Sequence, residues 1–220
     1  MITLHHLERS RSTRVLWLLE ELGVSYEMKR YARDPATGLA PPELKRVHPL
    51  GKSPIVTDGE RTLAESGPIL DYLVDRHGQG RFRPAAGSDE RLRYDYWLHY
   101  AEGSAMPPLL MSLIFTIVKK KSPWIVRPIA GAIADKVFKG FIHPQLATHF
   151  DWVESELGRS PWFAGDELTA ADIQMSYPVE AHQERGVPAS RPNTAAWLER
   201  VRARPAYKKA IEVGGPSLFG

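Results

Sequence analysis

Two residue pairs in the first third of the chain have the types and the spacing to hold a small charged ligand. Ser53-Pro54 precedes a short apolar run (55–57) that predicts a strand, and Glu65-Ser66 stands where a helical pattern begins. A proline at the head of a strand has no ladder donor, so the peptide groups of the preceding residue stay free. A helix start gathers unpaired N–H groups, which favour anions. Together the pairs predict a cradle for a small peptide with a carboxylate, and an ordinary N-cap at Ser66 is the alternative interpretation.

The elements around these pairs place them at one edge of a small sheet. Residues 2–7 predict a strand, and residues 14–23 have helical composition and end at a glycine that is typical of a helix C-cap. A further extended run covers 25–31, and a hairpin with a tight turn covers 55–64. This order predicts a small α/β unit in which the proline loop and both helix starts converge.

The pattern of the chain changes near Arg83. A segment rich in glycine and proline, 78–87, indicates a linker. Strand and helix patterns mix before it, whereas the patterns after it are almost entirely helical. We therefore predict an α/β domain over residues 1–83 and an all-α helical domain over residues 84–220.

The composition excludes several kinds of chemistry. The 220 residues include no cysteine, so disulfides, Cys-based metal sites and a thiol nucleophile on the protein are excluded. If thiol chemistry takes place here, the sulfur arrives with the ligand. The histidines are scattered, and the adjacent His5 and His6 should point to opposite faces of a strand, so we predict no metal site.

Charge and hydropathy favour a cytoplasmic protein with no membrane span and no nucleic-acid partner. The formal net charge is +3, from 29 basic and 26 acidic residues. The longest apolar stretch, 109–118, falls short of the ~20 residues that span a bilayer, and the start of the chain lacks the pattern of a signal peptide. Three lysines (119–121) beside Trp124 could form a patch for a membrane surface or a nucleic acid. A solvated helix end that complements the helix dipole is the commoner structure.

Four motifs, in the right order over nearly the whole chain, resemble those of glutathione transferases. The loop 48–54 (HPLGKSP) resembles the family's Asn-Pro-x-Gly-Lys-Val-Pro loop, and the segment 65–73 (ESGPILDYL) resembles its Glu-Ser-x-Ala-Ile-x-x-Tyr-Leu stretch. Further on, the segment 163–172 (FAGDELTAAD) resembles the family's helix-capping signature, and 192–207 resembles its closing helix. Any one of these motifs is a weak signal, but the four together are a strong one.

The resemblance implies how the cradle would hold glutathione. Glu65 would face the ammonium of the γ-glutamyl head, while Ser66 would hold the carboxylate of that head at the helix start. Pro54 would be cis, and the backbone of Ser53 would pair with the cysteinyl unit of the ligand. The family usually has valine there, and the serine should be tolerated because the contact is through the main chain. Lys52 could meet the glycine carboxylate, although an ordinary surface lysine is the alternative.

The segments 10–14 and 100–104 further resemble a microbial branch of the serine-type, theta-like enzymes. By that resemblance Ser10 is the catalytic residue, and its hydroxyl would donate to the sulfur of glutathione at the start of the first helix. A fall of the thiol pKa from ~8.5 to ~6.5 would raise the thiolate fraction at pH 7 from roughly 3% to roughly 75%. Ser12 and Thr13 lie near the same helix start and remain alternatives.

The resemblance finally implies the fold and the activity. The fold is an α/β thioredoxin-like N-terminal domain followed by an all-α C-terminal helical domain, in a C2 homodimer. Glutathione is the co-substrate, no metal is needed, and a small apolar electrophile binds between the domains. The helix predicted over 89–106 offers aromatic side chains that suit either this pocket or the core, and its prolines at 107–108 should break or kink it. A glutathione-dependent peroxidase or dehalogenase, and a non-catalytic glutathione-binding or protein-interaction module, are the alternative functions.

Overall fold

The computed structural model describes residues 1–183 and 191–215. Its first part is a four-stranded sheet with strand order β2-β1-β3-β4, in which β1 is parallel to β2 and antiparallel to β3, and β3 is antiparallel to β4. The strands are β1 Ile2–Leu7, β2 Tyr26–Tyr31, β3 Ile55–Asp58 and β4 Arg61–Ala64, and the helices are α1 Ser12–Leu22, α2 Glu43–Val47 and α3 Ser66–His77. The predicted α/β, thioredoxin-like first domain is confirmed.

The central strand β1 is buried along its whole length and separates two apolar clusters. Successive side chains of a strand point to opposite faces, so Leu4 joins the main core while Leu7 joins a smaller cluster with Leu44 and Ile55. Helix α1 supplies much of the main core, and it ends where Gly23 adopts a left-handed conformation at φ 68°. The Gly23 N–H then donates to the carbonyls of the last turn, as a C-capping glycine does.

The second part is helical, which confirms the predicted all-α region. Its helices are α4 Asp89–Tyr100, α5 Met106–Lys121, α6 Arg127–Val137, α7 His143–Leu157, α8 Ala170–Gln183, α9 Pro192–Ala203 and α10 Pro205–Gly214, with π-helical turns at Ala101–Ala105 and Phe138–Ile142. Helix α8 is the central helix and is buried along nearly its whole length. Helix α10 packs back onto α1, where the rings of Trp17 and Tyr207 meet edge to face at 5.2 Å. The predicted division at residue 83 falls in the segment between α3 and α4.

Of the break or kink expected at residues 107–108, the break is wrong, because helical structure runs without interruption from Asp89 to Lys121. The prolines occupy the first turn of α5, and the π-helical turn before them changes the hydrogen-bond pattern where proline lacks a donor. By length and composition alone, this helical stretch could cross a membrane, and 33% of its apolar window is buried inside the protein. Core helices of soluble proteins pass the same test, so this one helix is weak support for a membrane span.

The predicted capping residue Asp172 ties together three segments of the helical part. It is fully buried, and its carboxylate accepts hydrogen bonds from the N–H and the hydroxyl of Thr169, both at 2.9 Å. The carboxylate also accepts from the Phe163 N–H at 2.9 Å and from the indole N–H of Trp197 at 3.2 Å. This side chain therefore does more than cap α8, since it also fixes the preceding loop and α9.

Candidate active site

A cavity of about 320 Å³ opens between the proline loop, the start of α3 and the π-helical turn that follows α4. All five residues predicted to bind glutathione line it: Lys52, Ser53, Pro54, Glu65 and Ser66. Its volume lies at the lower end of the range of small-molecule sites. The two parts of the predicted cradle, which are separate in sequence, therefore face one space.

The proline loop approaches its neighbours closely. The peptide bond between Ser53 and Pro54 is cis, as the family resemblance implies. Gly51 has φ +56°, and a Cβ built at this position would lie 2.6 Å from Cγ of Lys45. Because an L side chain would meet both a strained backbone and a clash, this position requires glycine. The loop that carries Lys52 and Ser53 is thereby held against α2.

Glu65 has an unusual backbone conformation, with φ 71° and ψ 130°. Positive φ is uncommon for residues other than glycine, and such strain is found mainly where surrounding structure and function require it. The Glu65 carbonyl accepts the N–H of Ile69 at 3.1 Å, so the strained residue also starts α3. The conformation marks Glu65 as a functional candidate independently of the sequence motif.

Behind Ser66 lies a group of charged side chains that we call the arginine–glutamate cluster (Arg11, Arg14 and Glu102). The Arg14 guanidinium donates from Nη1 to the Ser66 hydroxyl at 3.2 Å and to Oε1 of Glu102 at 2.5 Å. Nε of Arg11 lies 3.3 Å from the same carboxylate oxygen. Arg11 and Glu102 also line the cavity, so charges from α1 and from the π-helical turn meet the ligand space together.

The cluster favours an anion at Ser66. Burial lowers the pKa of the Arg14 guanidinium and Glu102 opposes this, yet an arginine stays protonated because its ordinary pKa is so high. Burial alone would raise the pKa of Glu102, but Arg14 and Arg11 outweigh it and hold the pKa below its usual range. Two guanidinium groups and one carboxylate leave the cluster with one net positive charge. That charge lies directly behind the start of α3, where a carboxylate is expected.

The sequence analysis gave no role to the members of this cluster. The segments 10–14 and 100–104 were each similar to the serine-type branch, and they carry opposite charges. The opposite charges of these two segments were the signal in the sequence that could have indicated an ion pair between them. What the sequence does not contain is the contact itself, because 88 positions separate Arg14 from Glu102.

Ser10 borders a second, smaller cavity of about 160 Å³. This cavity shares Arg11, Lys52 and Ser53 with the larger one. Only 6% of Ser10 is exposed, and its hydroxyl oxygen lies 3.3 Å from that of Ser53. It also accepts the N–H of Ser12, the first residue of α1, at 3.2 Å. Ser10 therefore lies at the helix start, beside the proline loop.

The two alternatives to Ser10 are placed differently. Ser12 is fully buried, and its hydroxyl lies 2.9 Å from Nδ1 of His6. The Thr13 hydroxyl donates to the carbonyl oxygen of Ser10 at 3.2 Å. Neither residue lines either of the two cavities, whereas Ser10 lines the smaller one. The geometry therefore favours Ser10 as the hydroxyl that a ligand can reach.

The smaller cavity also joins the two parts of the fold. Tyr177 of α8 lines it together with Leu7 and Leu39 from the first domain. The aromatic side chains of α4 contribute less than the sequence suggested, since Tyr94 and Trp97 are fully buried in the core. No motif around Tyr177 had indicated its place here.

Within residues 1–183 and 191–215, no three histidine, aspartate or glutamate side chains come close enough to hold a metal ion. The adjacent histidines of β1 point apart, as predicted. His5 contacts the hydroxyls of Tyr31 and Thr57, whereas His6 contacts Ser12 and the carbonyl of Gly214.

Comparison with known proteins gives the same family for both parts of the chain. Residues 1–75 match the model of the glutathione S-transferase N-terminal domain, and residues 142–205 match that of the C-terminal domain. Glutathione S-transferase 3 of Schizosaccharomyces pombe is 38% identical over 215 residues, which cover 96% of this chain and 87% of the relative. Glutathione S-transferase 1 of Saccharomyces cerevisiae is 34% identical over 222 residues, covering 96% and 94%.

Solved structures of the same family share the fold. A glutathione S-transferase from Actinobacillus pleuropneumoniae superposes with a TM-score of 0.79 at 36% identity, covering 99% of this chain and 94% of that one. A sphingomonad glutathione S-transferase complexed with glutathione gives a TM-score of 0.72 over 98% of this chain and 100% of the other. At 22% identity, the second likeness concerns the fold alone.

Proposed function

The chain belongs to the glutathione S-transferase family and uses glutathione as its co-substrate, and from this premise we propose how its residues carry out the reaction. Glutathione binds in the larger cavity, its thiol ionises beside Ser10, and the thiolate attacks a small apolar electrophile. One observation carries the proposal: Ser10 borders a cavity that shares Lys52 and Ser53 with the space lined by Glu65 and Ser66.

The γ-glutamyl head of glutathione would lie at the start of α3. Its carboxylate would receive the Ser66 hydroxyl and N–H groups of the first turn, with Arg14 behind them. Its ammonium would lie between Glu65 and Glu102, the two carboxylates that line this cavity. The glycine carboxylate at the other end of the tripeptide would meet Lys52. This placement matches each charge of the ligand with an opposite charge.

The cysteinyl unit would pair with the backbone of Ser53, which brings its sulfur to Ser10 between the two cavities. A hydroxyl that donates to the sulfur, at a helix N-terminus, favours the thiolate over the thiol. If the thiol pKa falls from ~8.5 to ~6.5, the thiolate fraction at pH 7 rises about 25-fold. A less basic thiolate is less nucleophilic by about six- to tenfold, so the net gain is only about threefold. Most of the acceleration would then come from holding the electrophile beside the sulfur.

The electrophile would occupy the smaller cavity. Leu7, Leu39 and Ala40 offer apolar surface there, and Tyr177 lines it from the helical domain. Arg11, Arg33 and Lys52 line the same space. Its volume of about 160 Å³ lies below the range of drug-sized sites, so the substrate would have to be small. This arrangement supports conjugation of small apolar electrophiles, and with it a detoxification role.

One set of assays tests the activity. The protein should be retained on immobilised glutathione and should turn over an aryl halide. Turnover of an organic hydroperoxide in place of the aryl halide would instead favour a peroxidase, and retention without turnover of any electrophile would favour a binding module.

The role of Ser10 is tested by Ser10→Ala. We expect a higher apparent pKa of the bound thiol, by up to ~2 units, and turnover about threefold lower at pH 7. Thr13→Ala is the matched variant, because Thr13 lies at the same helix start but lines neither cavity. If Thr13→Ala reproduces both changes and Ser10→Ala causes neither, Ser10 is not the residue that contacts the thiol.

We further propose that two copies of the chain form a homodimer in the cytoplasm, where glutathione is abundant. Large apolar side chains on α5 and α6 are exposed, and a contiguous apolar surface usually marks an interface. They include Leu110, Ile114, Ile117, Ile129 and Ile133. Light scattering should give twice the monomer mass, and Ile114→Glu with Ile129→Glu should reduce it to the monomer mass. Lys209→Glu, at an exposed position of α10, is the control. A monomeric wild type would rule out the dimer.

A further inference from the structure

A continuous series of hydrogen bonds extends from Ser10 into the interior, and we call it the hydroxyl relay (Ser10, Ser12 and His6). The oxygens of Ser10 and Ser12 are 2.8 Å apart, and the Ser12 oxygen is 2.9 Å from Nδ1 of His6. Nε2 of His6 lies 2.9 Å from the carbonyl oxygen of Gly214, at the end of α10. All three relay residues are buried, with exposed fractions of 6%, 0% and 1%.

The chemistry of the groups fixes the direction of each bond. A carbonyl oxygen can only accept, so Nε2 of His6 carries the proton and Nδ1 of the neutral ring is an acceptor. The Ser12 hydroxyl must then donate to Nδ1, which leaves its oxygen free to accept from Ser10. The Leu7 carbonyl is a second acceptor for Ser10, at 2.8 Å. With His6 neutral, the Ser10 proton therefore points inward, away from the position of a ligand.

Gly214, at the end of α10, permits the contact between its carbonyl and His6. A Cβ added to Gly214 would lie 2.7 Å from Cδ2 of Leu16 and 3.3 Å from Cε1 of His6. Glycine therefore allows the backbone of α10 to approach β1 and α1 closely enough for its carbonyl to reach His6. No motif accounted for the terminal glycine of α10 or for His6.

Given the proposed role of Ser10, we propose that Ser12 and His6 are positioning residues that turn the Ser10 hydroxyl towards the glutathione sulfur as the thiol ionises. The S–H bond breaks, and its proton binds to the Ser10 oxygen while the sulfur keeps the electron pair. The original proton of Ser10 passes to the Ser12 oxygen, and that of Ser12 passes to Nδ1 of His6. A neutral thiol and a neutral imidazole thus become a thiolate and an imidazolium.

This shift leaves the hydrogen bonds in place and reverses those that join the sulfur, Ser10, Ser12 and Nδ1 of His6, while Nε2 still donates to the Gly214 carbonyl. Ser10 now donates to the thiolate, Ser12 donates to Ser10, and His6 donates to Ser12. The relay therefore supplies the donor that a serine-type site requires, without any side chain changing position. A serine whose hydroxyl kept donating to the Leu7 carbonyl could not stabilise the thiolate in this way.

The charges around His6 set its resting state. Burial lowers the pKa of His6, the Gly214 carbonyl raises it, Arg30 of β2 lowers it, and Glu8 after β1 raises it. The α1 residue that meets the ring is the uncharged Ser12. At neutral pH the ring is therefore uncharged before glutathione binds, which is the form that can receive a proton.

Two variants test the relay separately from the role of Ser10. In His6→Asn, the amide oxygen can still accept from Ser12 but cannot take a proton, and Ser12→Ala interrupts the series. His5→Asn is the matched control, because His5 is equally buried on the same strand and points to the other face. The pH titration of the bound thiolate by its ultraviolet absorption is the main measurement, with the affinity for S-methylglutathione as a measure of binding that involves no ionisation.

We expect both relay variants to raise the apparent pKa of the bound thiol by about one unit, from ~6.5 to ~7.5. Where the chemical step limits turnover, the smaller thiolate fraction lowers the rate, whereas the higher basicity of the thiolate makes it more nucleophilic and raises the rate. Turnover should be about threefold slower at pH 6, nearly unchanged at pH 7 and about twofold faster at pH 8. Affinity for S-methylglutathione should change less than about twofold, and His5→Asn should behave as the wild type.

An unchanged thiol pKa in both relay variants, with a raised pKa in Ser10→Ala, would overturn the relay and leave Ser10 in its role. If Ser10→Ala also leaves the pKa unchanged, the assignment of Ser10 itself fails.

A measurement on the wild type avoids any loss of folding in the variants. The nitrogen-15 NMR signals of His6 should show protonation at Nδ1 when glutathione binds but not when S-methylglutathione binds, and a ring that stays neutral with both ligands would refute the relay.

Discussion

Replacing Glu102 with glutamine should destabilise the protein, because it leaves the Arg14 guanidinium buried without its counter-charge. The Arg14 side chain is only 1% exposed, and Oε1 of Glu102 lies 2.5 Å from its Nη1. Nε and Nη2 of Arg14 have no hydrogen-bond partner among the described residues. The stability of this buried charge therefore depends strongly on one carboxylate.

The expected magnitude follows from the burial of the two partners. Removal of one member of a buried ion pair costs roughly 3–5 kcal/mol, because an uncompensated charge stays inside the protein. Glu102 is 36% exposed, so water already screens part of the interaction. We therefore expect Glu102→Gln to lower the free energy of unfolding by about 2–3 kcal/mol. Adding Arg14→Met removes the buried charge as well and should restore at least half of this loss.

Urea unfolding of the wild type, the two single variants and the double variant measures these changes. Asp135→Asn is the control, because it cuts an exposed ion pair with Lys119 and should cost less than about 0.5 kcal/mol. Glutathione affinity should fall in parallel in Arg14→Met, since Arg14 holds the Ser66 hydroxyl. The reasoning is refuted if Glu102→Gln costs no more than the control, or if Arg14→Met adds to the loss in the double variant.

Three further predictions concern other parts of the molecule. Asp172→Ala leaves four hydrogen-bond donors without their acceptor, so the free energy of unfolding should fall by about 3–5 kcal/mol; a loss below 1 kcal/mol in urea unfolding would contradict this role. Burial lowers the pKa of His5, His6 and His149, so stability is fully present above the unfolded-state value of ~6.5 and is lost as pH falls below it; equal urea midpoints at pH 7.5 and pH 5.5 would exclude this linkage. Ser53→Val should change glutathione affinity less than about twofold, because the proposed contact is through the main chain; calorimetry that gives a tenfold loss would instead assign the contact to the hydroxyl.

Much of the fold was predictable because its signals are local. The extended run 2–7 predicted β1, and the C-capping Gly23 predicted the end of α1. The helix nevertheless begins at Ser12, earlier than the predicted residue 14, because a turn bonds the Arg14 N–H to the Arg11 carbonyl. The uninterrupted helix through Pro107 was not predictable from the prolines, since a π-helical turn adjusts the hydrogen bonds before them.

The candidate site likewise has one part that was predictable from the sequence and one part that was not. Residues that would bind glutathione through a helix start or a proline loop have a sequence signature, because backbone geometry requires particular residue types at fixed spacings. The charged and titratable groups behind the site have no such sequence signature. The proposed roles of Glu102 and His6 depend on contacts that no local motif records: Arg14 lies 88 positions from Glu102, and Gly214 lies 208 positions from His6. These proposed roles follow from the distances of Glu102 to Arg14 and of His6 to Ser12.

These contacts place the helical domain at the proposed glutathione site, in addition to its proposed role beside the second substrate. Glu102 reaches Arg14 from the π-helical turn, and π-helical turns are frequent at functional sites. The Gly214 carbonyl reaches His6 from the last described helix. Without these two groups, the first domain would hold a buried guanidinium without a counter-charge and a buried imidazole N–H without an acceptor. Both are costly in a protein interior, so the proposed charge arrangement depends on partners that the helical domain supplies in the packed protein.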